Sequence, residues 1–377
     1  MSDNMYYSQS SVTSDWNCPR AHYWGHHFAG VGLSSESKGL ELFLGTAVHD
    51  GLAAIAQGVG IDQIAEAAVK QVKEGLLAET EGEAEAAEFA SEQGALVEGL
   101  LRGFYKQVWP QLMAQFTVHS IEQPCVYRTD DTGMENPQGR FIFMARHDII
   151  LQDAEGNLWY WEYKSTSSSR EQWINSWSTA VQVHSGIRAF EQTSGEVITG
   201  VVVQGLYKGY QQKGKQSSIL CYAYHKPGEP PFTTAKWSYE YKPGFRKFPV
   251  WHREGGVKRW VDEMPAEILA EQFPQTPPIF INEGLVNGFF RQQASRQLEI
   301  HMAAEGLKRE DLDVGTKISL LDMAFPQRFD RCNSSWGHPC EFRQLCHGAV
   351  GNPLDLGFVL RDTSHREPFI RLVEVSA

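Results

Sequence analysis

No apolar run in the sequence approaches the ~18–20 residues a membrane-spanning helix needs, so no segment reads as a span. The first residues, MSDNMYYSQSS, have neither the basic start nor the apolar stretch of a secretory leader, and a cytosolic protein is expected. Six unevenly spaced cysteines in 377 residues do not form a disulfide framework. Internal repeats and low-complexity linkers are absent as well. What remains is an ordinary globular chain, 42% hydrophobic and 21% charged, long enough for one or two domains with a large core.

Charge is also missing locally. Between Glu74 and Glu98 there are eight Glu and no Lys or Arg, which reads as a solvated helix face. Between Val201 and Trp260 there are eleven Lys or Arg against three Glu. The formal net charge of −12 therefore does not exclude a nucleic-acid partner, because the charge is segregated. From Lys208 to Arg259 the basic residues alternate with Tyr207, Tyr210, Tyr222, Tyr224, Trp237, Tyr239, Tyr241, Phe245, Trp251 and Trp260. Cations for phosphates and rings for unpaired bases suit single-stranded nucleic acid, although half or more of these rings are expected in the core.

The stretch with the most chemistry is RHDIILQDAEGNLWYWEYKS, residues 146–165. It predicts two strands joined at the turn signal DAEGN. Residues two apart on a strand share a face, so Glu162 and Lys164 point the same way and Asp148 reaches the same end of the hairpin. Two carboxylates and an ammonium at a sheet edge suit a divalent cation and an activated water. The chain carries its own control: Glu240-Tyr241-Lys242 repeats the tripeptide, but no Asp lies between Asp153 and Asp262 to partner it.

Around this hairpin the patterns predict a helix over 14–28, capped by Ser14 or Asp15 with Pro19 in its first turn. A Gly/Ser loop over 30–39 and a helix over 40–57 follow. Helical patterns continue over 61–115, with a break near 80–82. Strands are expected over 116–128, 140–151, 158–165, 199–210 and 217–225, and helices over 170–192, 253–272 and 285–304. Residues 227–249 read as strand or loop, and 274–278 as a break. This order makes an α/β core with helical additions.

Further candidates flank the hairpin. Glu122 on the preceding strand would add a third carboxylate, or else face solvent. His49, within GTAVHDG, is either a packed core histidine or an imidazole ligand, should its helix cross the carboxylate edge. Cys332, Cys340 and Cys346, in CNSSWGHPCEFRQLC, supply three soft ligands, and Cys18 could be a fourth, for zinc or an iron–sulfur cluster. A rival zinc reading takes Cys18, His22 and His26 from one helix, with those histidines favoured as surface residues. Cys125 and Cys221 read as small buried hydrophobes.

Taken in order, Cys18-Pro19-Arg20, Gly45-x3-His49, Glu122, Asp148, Glu162-Tyr163-Lys164, Gln182 and the cysteine cluster resemble the PD-(D/E)XK nuclease superfamily. Within it they resemble the RecB-like exonuclease branch, with its CRISPR-associated members, the AddB nuclease and many phage proteins. The resemblance runs over nearly the whole chain. It implies a restriction-endonuclease-like core, a central mixed sheet flanked by helices, over 116–272. A helical region over 1–115 and a cysteine-cluster region over 273–377 would complete one intertwined unit. It further implies that His49, Asp148, Glu162 and the Tyr163 carbonyl hold Mg²⁺ or Mn²⁺, that Lys164 orients the attacking water, and that Gln182 positions DNA. Cys18, Cys332, Cys340 and Cys346 would hold a 4Fe–4S cluster, with Zn²⁺ as the alternative. The implied activity is a DNA exonuclease on single strands or duplex ends; a non-catalytic DNA-binding subunit and a structure-selective endonuclease are the alternatives. Three positions depart from the pattern: a long Cys332–Cys340 spacer, Gly186 in place of the Tyr of the Q-x3-Y motif, and Ala145 in place of a glycine before Asp148.

Overall fold

The computed structural model describes residues 4–35, 40–78, 84–168, 170–212, 215–226, 228, 244, 246–332, 339–347 and 352–375. The chain opens with a strand, β1 (Met5–Ser8), and two helices, α1 (Gln9–Asn17) and α2 (Pro19–His26). The single helix expected over 14–28 is thus two helices, and the expected cap is wrong. Ser8 caps α1: its Oγ accepts the Ser11 N–H while its own N–H donates to the Ser11 hydroxyl. Cys18, in extended conformation, breaks the run, and Pro19 starts α2 where its missing N–H costs nothing.

A short strand, β2 (Leu33–Ser35), precedes three long helices, α3 (Leu40–Ala56), α4 (Ile61–Ala78) and α5 (Ala84–Gln107), and the short α6 (Trp109–Met113). The break expected near 80–82 lies outside the described residues. Then come β3 (Phe116–Ile121), β4 (Pro124–Thr129), β5 (Phe141–Arg146), β6 (Ile149–Asp153) and β7 (Leu158–Thr166). In place of one helix over 170–192 there are two, α7 (Arg170–Asn175) and α8 (Val181–Ser194). Strands β8 (Ile198–Tyr207), β9 (Tyr210–Gln212), β10 (Lys215–Ser217), β11 (Tyr222–His225) and β12 (Arg246–Pro249) follow. Pro265 divides the helix expected over 253–272 into α9 (Gly256–Glu263) and α10 (Ala266–Ala270). The chain ends with α11 (Glu283–Lys308), α12 (Val314–Ala324), α13 (Arg343–Cys346), β13 (Phe358–Leu360) and α14 (Glu367–Val375).

The strands expected over 116–128 and 140–151 each come in two pieces, and the pieces join different sheets. Register nonetheless runs through the break: Ile121 faces Ile149, Pro124 faces Arg146, and the Glu122 N–H donates to the Asp148 carbonyl at 3.1 Å. This is one long antiparallel ribbon bent between its halves. Glu122 sits at the bend with φ +48°, a left-handed conformation that costs a non-glycine residue energy. The inner half joins a four-stranded sheet in the order β3-β6-β7-β8, antiparallel except for β7 and β8. The outer half joins β1 in the order β1-β5-β4.

Alternation along the four-stranded sheet feeds two cores. Ile149, Leu151, Trp161, Tyr163, Val202 and Leu206 pack against α3, α4, α5 and α9. Ile150, Leu158, Tyr160, Val201 and Val203 face the opposite way, onto α8 and α11. The result is a mixed α/β fold with helices on both faces of the central sheet. Residues 272–279 run along the outer edge of β8, with Val201 and Ile279 exchanging backbone hydrogen bonds at 2.8 Å, and their prolines blunt that edge. At the far end of the chain β13 pairs with β2, and Phe369 and Val373 of α14 pack on β4 and β5. Among the described residues no helix is long and apolar enough to cross a membrane.

Part of the basic stretch neutralises the protein's own acidic helices. Lys258 pairs with Asp62 at 2.9 Å and Lys247 with Glu92 at 3.9 Å, while Arg259 holds Glu263 at 2.7 Å. Tyr207, Tyr222, Tyr224 and Trp260 are buried and Trp251 is half-buried, so none of these rings forms an exposed stacking platform. Trp237, Tyr239, Tyr241, Phe245 and the second EYK at 240–242 lie outside the described residues.

Candidate active site

Strand β6 ends its pairing with β7 at Ile149 opposite Trp161, so residues 162–166 of β7 run on past it beside β8 alone. Glu162, Tyr163 and Lys164 occupy that overhang, and Asp148, just before β6, closes the gap. The backbone sets this arrangement: Asp148 Oδ2 accepts the Tyr163 N–H at 2.6 Å. Tyr163 turns its ring into the core, where it meets Phe104 edge-on with 5.5 Å between centroids, a pair worth ~0.5–1.5 kcal/mol beyond its buried area.

Glu162 and Lys164 share a face, as the strand period requires. Lys164 Nζ lies 2.6 Å from Glu162 Oε1. The same carboxylate accepts a 2.7 Å bond from the Tyr160 hydroxyl and a 2.9 Å bond from the Gln182 amide at the start of α8. Gln182, expected on the substrate, therefore holds the Glu162 carboxylate with its N–H.

Tyr160 has no counterpart in the sequence motif, and its role also explains Gly186. A Cβ at Gly186 would lie 3.0 Å from the Tyr160 ring and 3.3 Å from its hydroxyl. The phenol that fills this space comes from strand β7 rather than from α8. The strand period, which places Tyr160 on the face of Glu162, was the available signal.

Across the sheet edge α3 brings His49 over Asp148, with Nδ1 to Oδ1 at 3.1 Å. Glu122 completes the group: the ligand atoms of His49, Glu122 and Asp148 all lie within 4.8 Å of one another. The bend in the ribbon delivers Glu122 here. An imidazole nitrogen and two carboxylate oxygens fit Mn²⁺ well and accept Mg²⁺. Gly45, one turn before His49, has nothing within 4 Å of the position its Cβ would take.

The titrations show charge packed against charge. Burial and the Asp148 carboxylate push Glu122 up to about 7. Burial and Asp148 also push Glu162 up, against the pull of Lys164. Burial would raise Asp148, but His49 and Lys164 outweigh it and hold the group below the usual carboxylate range. Burial likewise opposes charge on Lys164 and His49, and the neighbouring carboxylates overcome it, raising both. Excess negative charge that protein cations only partly balance is what a divalent-cation site requires.

The cysteines gather elsewhere, where α2 meets the C-terminal segment. The Cys340 N–H donates to the Cys332 carbonyl at 2.9 Å, and Cys340 packs beside Leu33, Phe342 and Phe358. Burial raises Cys340, and the thiols of Cys18 and Cys332 add to the rise; Cys340 and Cys18 act in the same way on Cys346, at about 11. Cys340 thus lies within electrostatic reach of the other three sulfurs, although among the described residues no three of the four come within 4.8 Å of one another. The indole N–H of Trp24 acts on Cys346, yet it is buried without a hydrogen-bond partner of good geometry. A thiolate or cluster sulfur there would satisfy it, so this donor set fits a soft-ligand centre. The rival set is no closer: Cys18, His22 and His26 do not come within 4.8 Å of one another either. His22 is not a surface residue either, being only 1% exposed.

None of the curated proteins compared with this chain matches it. The model of the PD-(D/E)XK nuclease superfamily does, over residues 6–347. That span takes in α2, the histidine helix, the bent ribbon, the overhang of β7 and the cysteines, so the chain belongs to the PD-(D/E)XK nuclease superfamily, a superfamily of metal-dependent nucleases.

Proposed function

We propose that the protein is a RecB-like exonuclease that hydrolyses phosphodiester bonds of single-stranded DNA or duplex ends. The observation that carries the catalytic reading is the convergence of His49, Glu122 and Asp148 beside an intact Glu162–Lys164 pair. Degenerate relatives that only bind DNA would be expected to have lost one of these groups. The resemblance to the RecB-like branch, from Cys18 through Gln182 to Cys346, supports exonuclease action.

In this reading His49, Glu122 and Asp148 hold the divalent ion, with Glu162 and the Tyr163 carbonyl as further ligands. When bound, Mg²⁺ or Mn²⁺ supplies a Lewis acid for the scissile phosphate and a lowered pKa for an attacking water. The protein's own groups position and balance charge. Lys164 aims its ammonium at the site of attack and stabilises negative charge developing on the phosphate. Tyr160 and Gln182 hold the Glu162 carboxylate in one orientation. The four cysteines, with the Trp24 indole beside them, hold a 4Fe–4S cluster that staples α2 to the C-terminal segment.

The test uses end-labelled linear and circular single-stranded DNA, anaerobically purified protein, and Mn²⁺ or EDTA. Metal-dependent shortening of the linear strand alone is expected. Lys164→Ala should abolish it while the fold survives, because Glu162 keeps its bonds to Tyr160 and Gln182 and can take up a proton. Cutting of the circle would replace the exonuclease with an endonuclease. Tight DNA binding without cleavage, or substantial cleavage by Lys164→Ala, would remove the catalytic assignment.

A further inference from the structure

One turn along α2 beyond Cys18 begins a second polar site that the nuclease reading does not use. It is a cavity of about 110 Å³ between the end of α2, the N-terminus of α1 and the C-terminal segment. His22, His26, His27, Arg361, His365 and Arg366 line it, and no carboxylate does. His22 Nε2 lies 3.1 Å from His27 Nε2, and Arg361 Nη1 lies 3.2 Å from His26 Nδ1. These groups gain nothing from one another's charge. Two polar atoms are also left without a hydrogen-bond partner among the described residues: Nδ1 of His22, itself 1% exposed, and the buried Nε of Arg366.

The third wall is the capped start of α1. Ser8, Ser10 and Ser11 bring hydroxyls and the positive end of the helix dipole to the same cavity. The carboxylates that act on this cluster stand outside the lining. Asp15, which acts on His27, is bound to Arg296 at 2.7 Å; Glu341 acts on Arg361 from beyond the wall; and Asp362, which acts on His365, accepts the Ser364 N–H and hydroxyl at 2.8 Å. Neither guanidinium in the lining has a carboxylate within ion-pair distance among the described residues, where Arg20, on the same helix, has one in Asp322.

We propose that this cavity binds a phosphate group, either the terminal phosphate of a nucleic-acid strand or that of a free nucleotide. Guanidinium forks, imidazole N–H groups, hydroxyls and a helix N-terminus are the donors that recognise such an oxyanion. The volume takes a phosphate group. Burial first, and the crowd of neighbouring cations second, hold His26 at about 3, which is the state expected of imidazoles whose balancing anion would come from outside the chain. Met144 on the cavity wall lies four residues before Asp148, no more than about 14 Å of extended chain. A strand end held here would thus run close to the candidate active site. The proposal does not depend on the nuclease reading, since inorganic phosphate alone tests it.

The experiment titrates inorganic phosphate into the full chain at constant ionic strength. It follows the imidazole ¹⁵N resonances and the heat of binding. Saturable binding that shifts the His22 and His27 resonances is expected. Arg366→Gln should weaken it roughly ten-fold or more, the effect of losing one charge-assisted contact. Arg371→Gln, at an exposed position on α14, should leave it unchanged. Competition then distinguishes the sources. Displacement of phosphate by a 5′- or 3′-phosphorylated oligonucleotide, but not by its hydroxyl-ended form, identifies a strand end. Displacement by a deoxynucleoside monophosphate and by neither oligonucleotide identifies a free nucleotide. No saturable binding in the wild-type protein, or binding that leaves His22 unmoved and survives Arg366→Gln in a folded variant, would overturn the proposal.

Discussion

The molecule has two candidate ligand clusters, and they are built in opposite ways. Asp148, Glu162 and Lys164 lie on one hairpin, and sheet hydrogen bonds place them before any ion is considered. His49 and Lys164 already serve as counter-cations for the carboxylates. The cysteine cluster joins residue 18 to residues 332–346, and the packing of Leu33, Phe342 and Phe358 is the main apolar contact across that seam. Cys340 and Cys346 are raised by burial, and Arg20, which acts on Cys346, is already bound to the Phe325 carbonyl and to Asp322. The lesson is that the first cluster is preorganised by the fold, whereas the second, in the proposed reading, needs a bound centre to help organise the fold.

The largest expected effect would test that contrast directly. A structural centre contributes folding free energy outright, and a whole domain is stable by only about 5–15 kcal/mol. Cys340→Ala should therefore lose its visible absorbance and melt roughly 10 °C or more below the wild type, or be insoluble. EDTA, which strips the carboxylate cluster, should leave the melting temperature of the wild type within a few degrees. A Cys340→Ala protein that melts with the wild type would break the comparison, because packing alone would then hold the seam. Stoichiometric zinc in colourless wild-type protein would keep the comparison and replace the cluster.

The same contrast accounts for what was legible in the sequence. The hairpin could be read because a strand period of two and one turn signal fix which side chains meet. The parallel partner β8 and the helix carrying Gln182 follow from the same local order. The bend at Glu122 was not read: Glu122-Gln123-Pro124 interrupts the β-forming run, but only tertiary structure sends its halves into different sheets. His49 lies ninety-nine positions from Asp148, and no periodicity reports that α3 crosses the sheet edge. The gathering of the cysteines was not encoded in any spacing, and the burial of His22 was missed because its environment comes from the two chain ends. β1 was missed because four residues carry too little pattern to separate a strand from a helix start.

Glu122 offers the next largest effect. Its folded pKa of about 7 lies above the ordinary 4.5, so the folded state binds this proton more tightly than the unfolded state. The stability it contributes is complete below pH 4.5 and is lost as pH rises through about 7. In metal-free protein Glu122→Gln should therefore flatten the fall in stability between pH 4.5 and 7, and be the more stable form at pH 8. Metal binding has the opposite dependence, because the ion needs the carboxylate. Wild-type affinity for Mn²⁺ should fall as pH drops through 7, while the variant binds on the order of ten- to a hundred-fold more weakly at pH 8, in the range of losing one metal contact. Calorimetric titrations of both proteins at pH 6 and pH 8 check both statements. Equal Mn²⁺ affinities at pH 8 would remove Glu122 from the ligand set.

The smallest effects concern Tyr160 and Gly186, which test how finely the first cluster is preorganised. Tyr160→Phe removes one of three contacts to the Glu162 carboxylate, and a bond to a charged group is worth ~1.5–3 kcal/mol. Cleavage should slow about ten-fold or more, with the KM for DNA little changed, because the hydroxyl positions a carboxylate and not the substrate. Gly186→Ala should act through the same ring: its methyl meets Tyr160 at 3.0 Å and must tilt it, at a cost of a few-fold in rate. If both work through that one hydroxyl, the double variant should be no slower than Tyr160→Phe, since a tilted ring without its oxygen has nothing left to misplace. Additive losses in the double variant would mean that Gly186 serves α8 packing or the DNA itself, and that Glu162 is held by Lys164 and Gln182 alone.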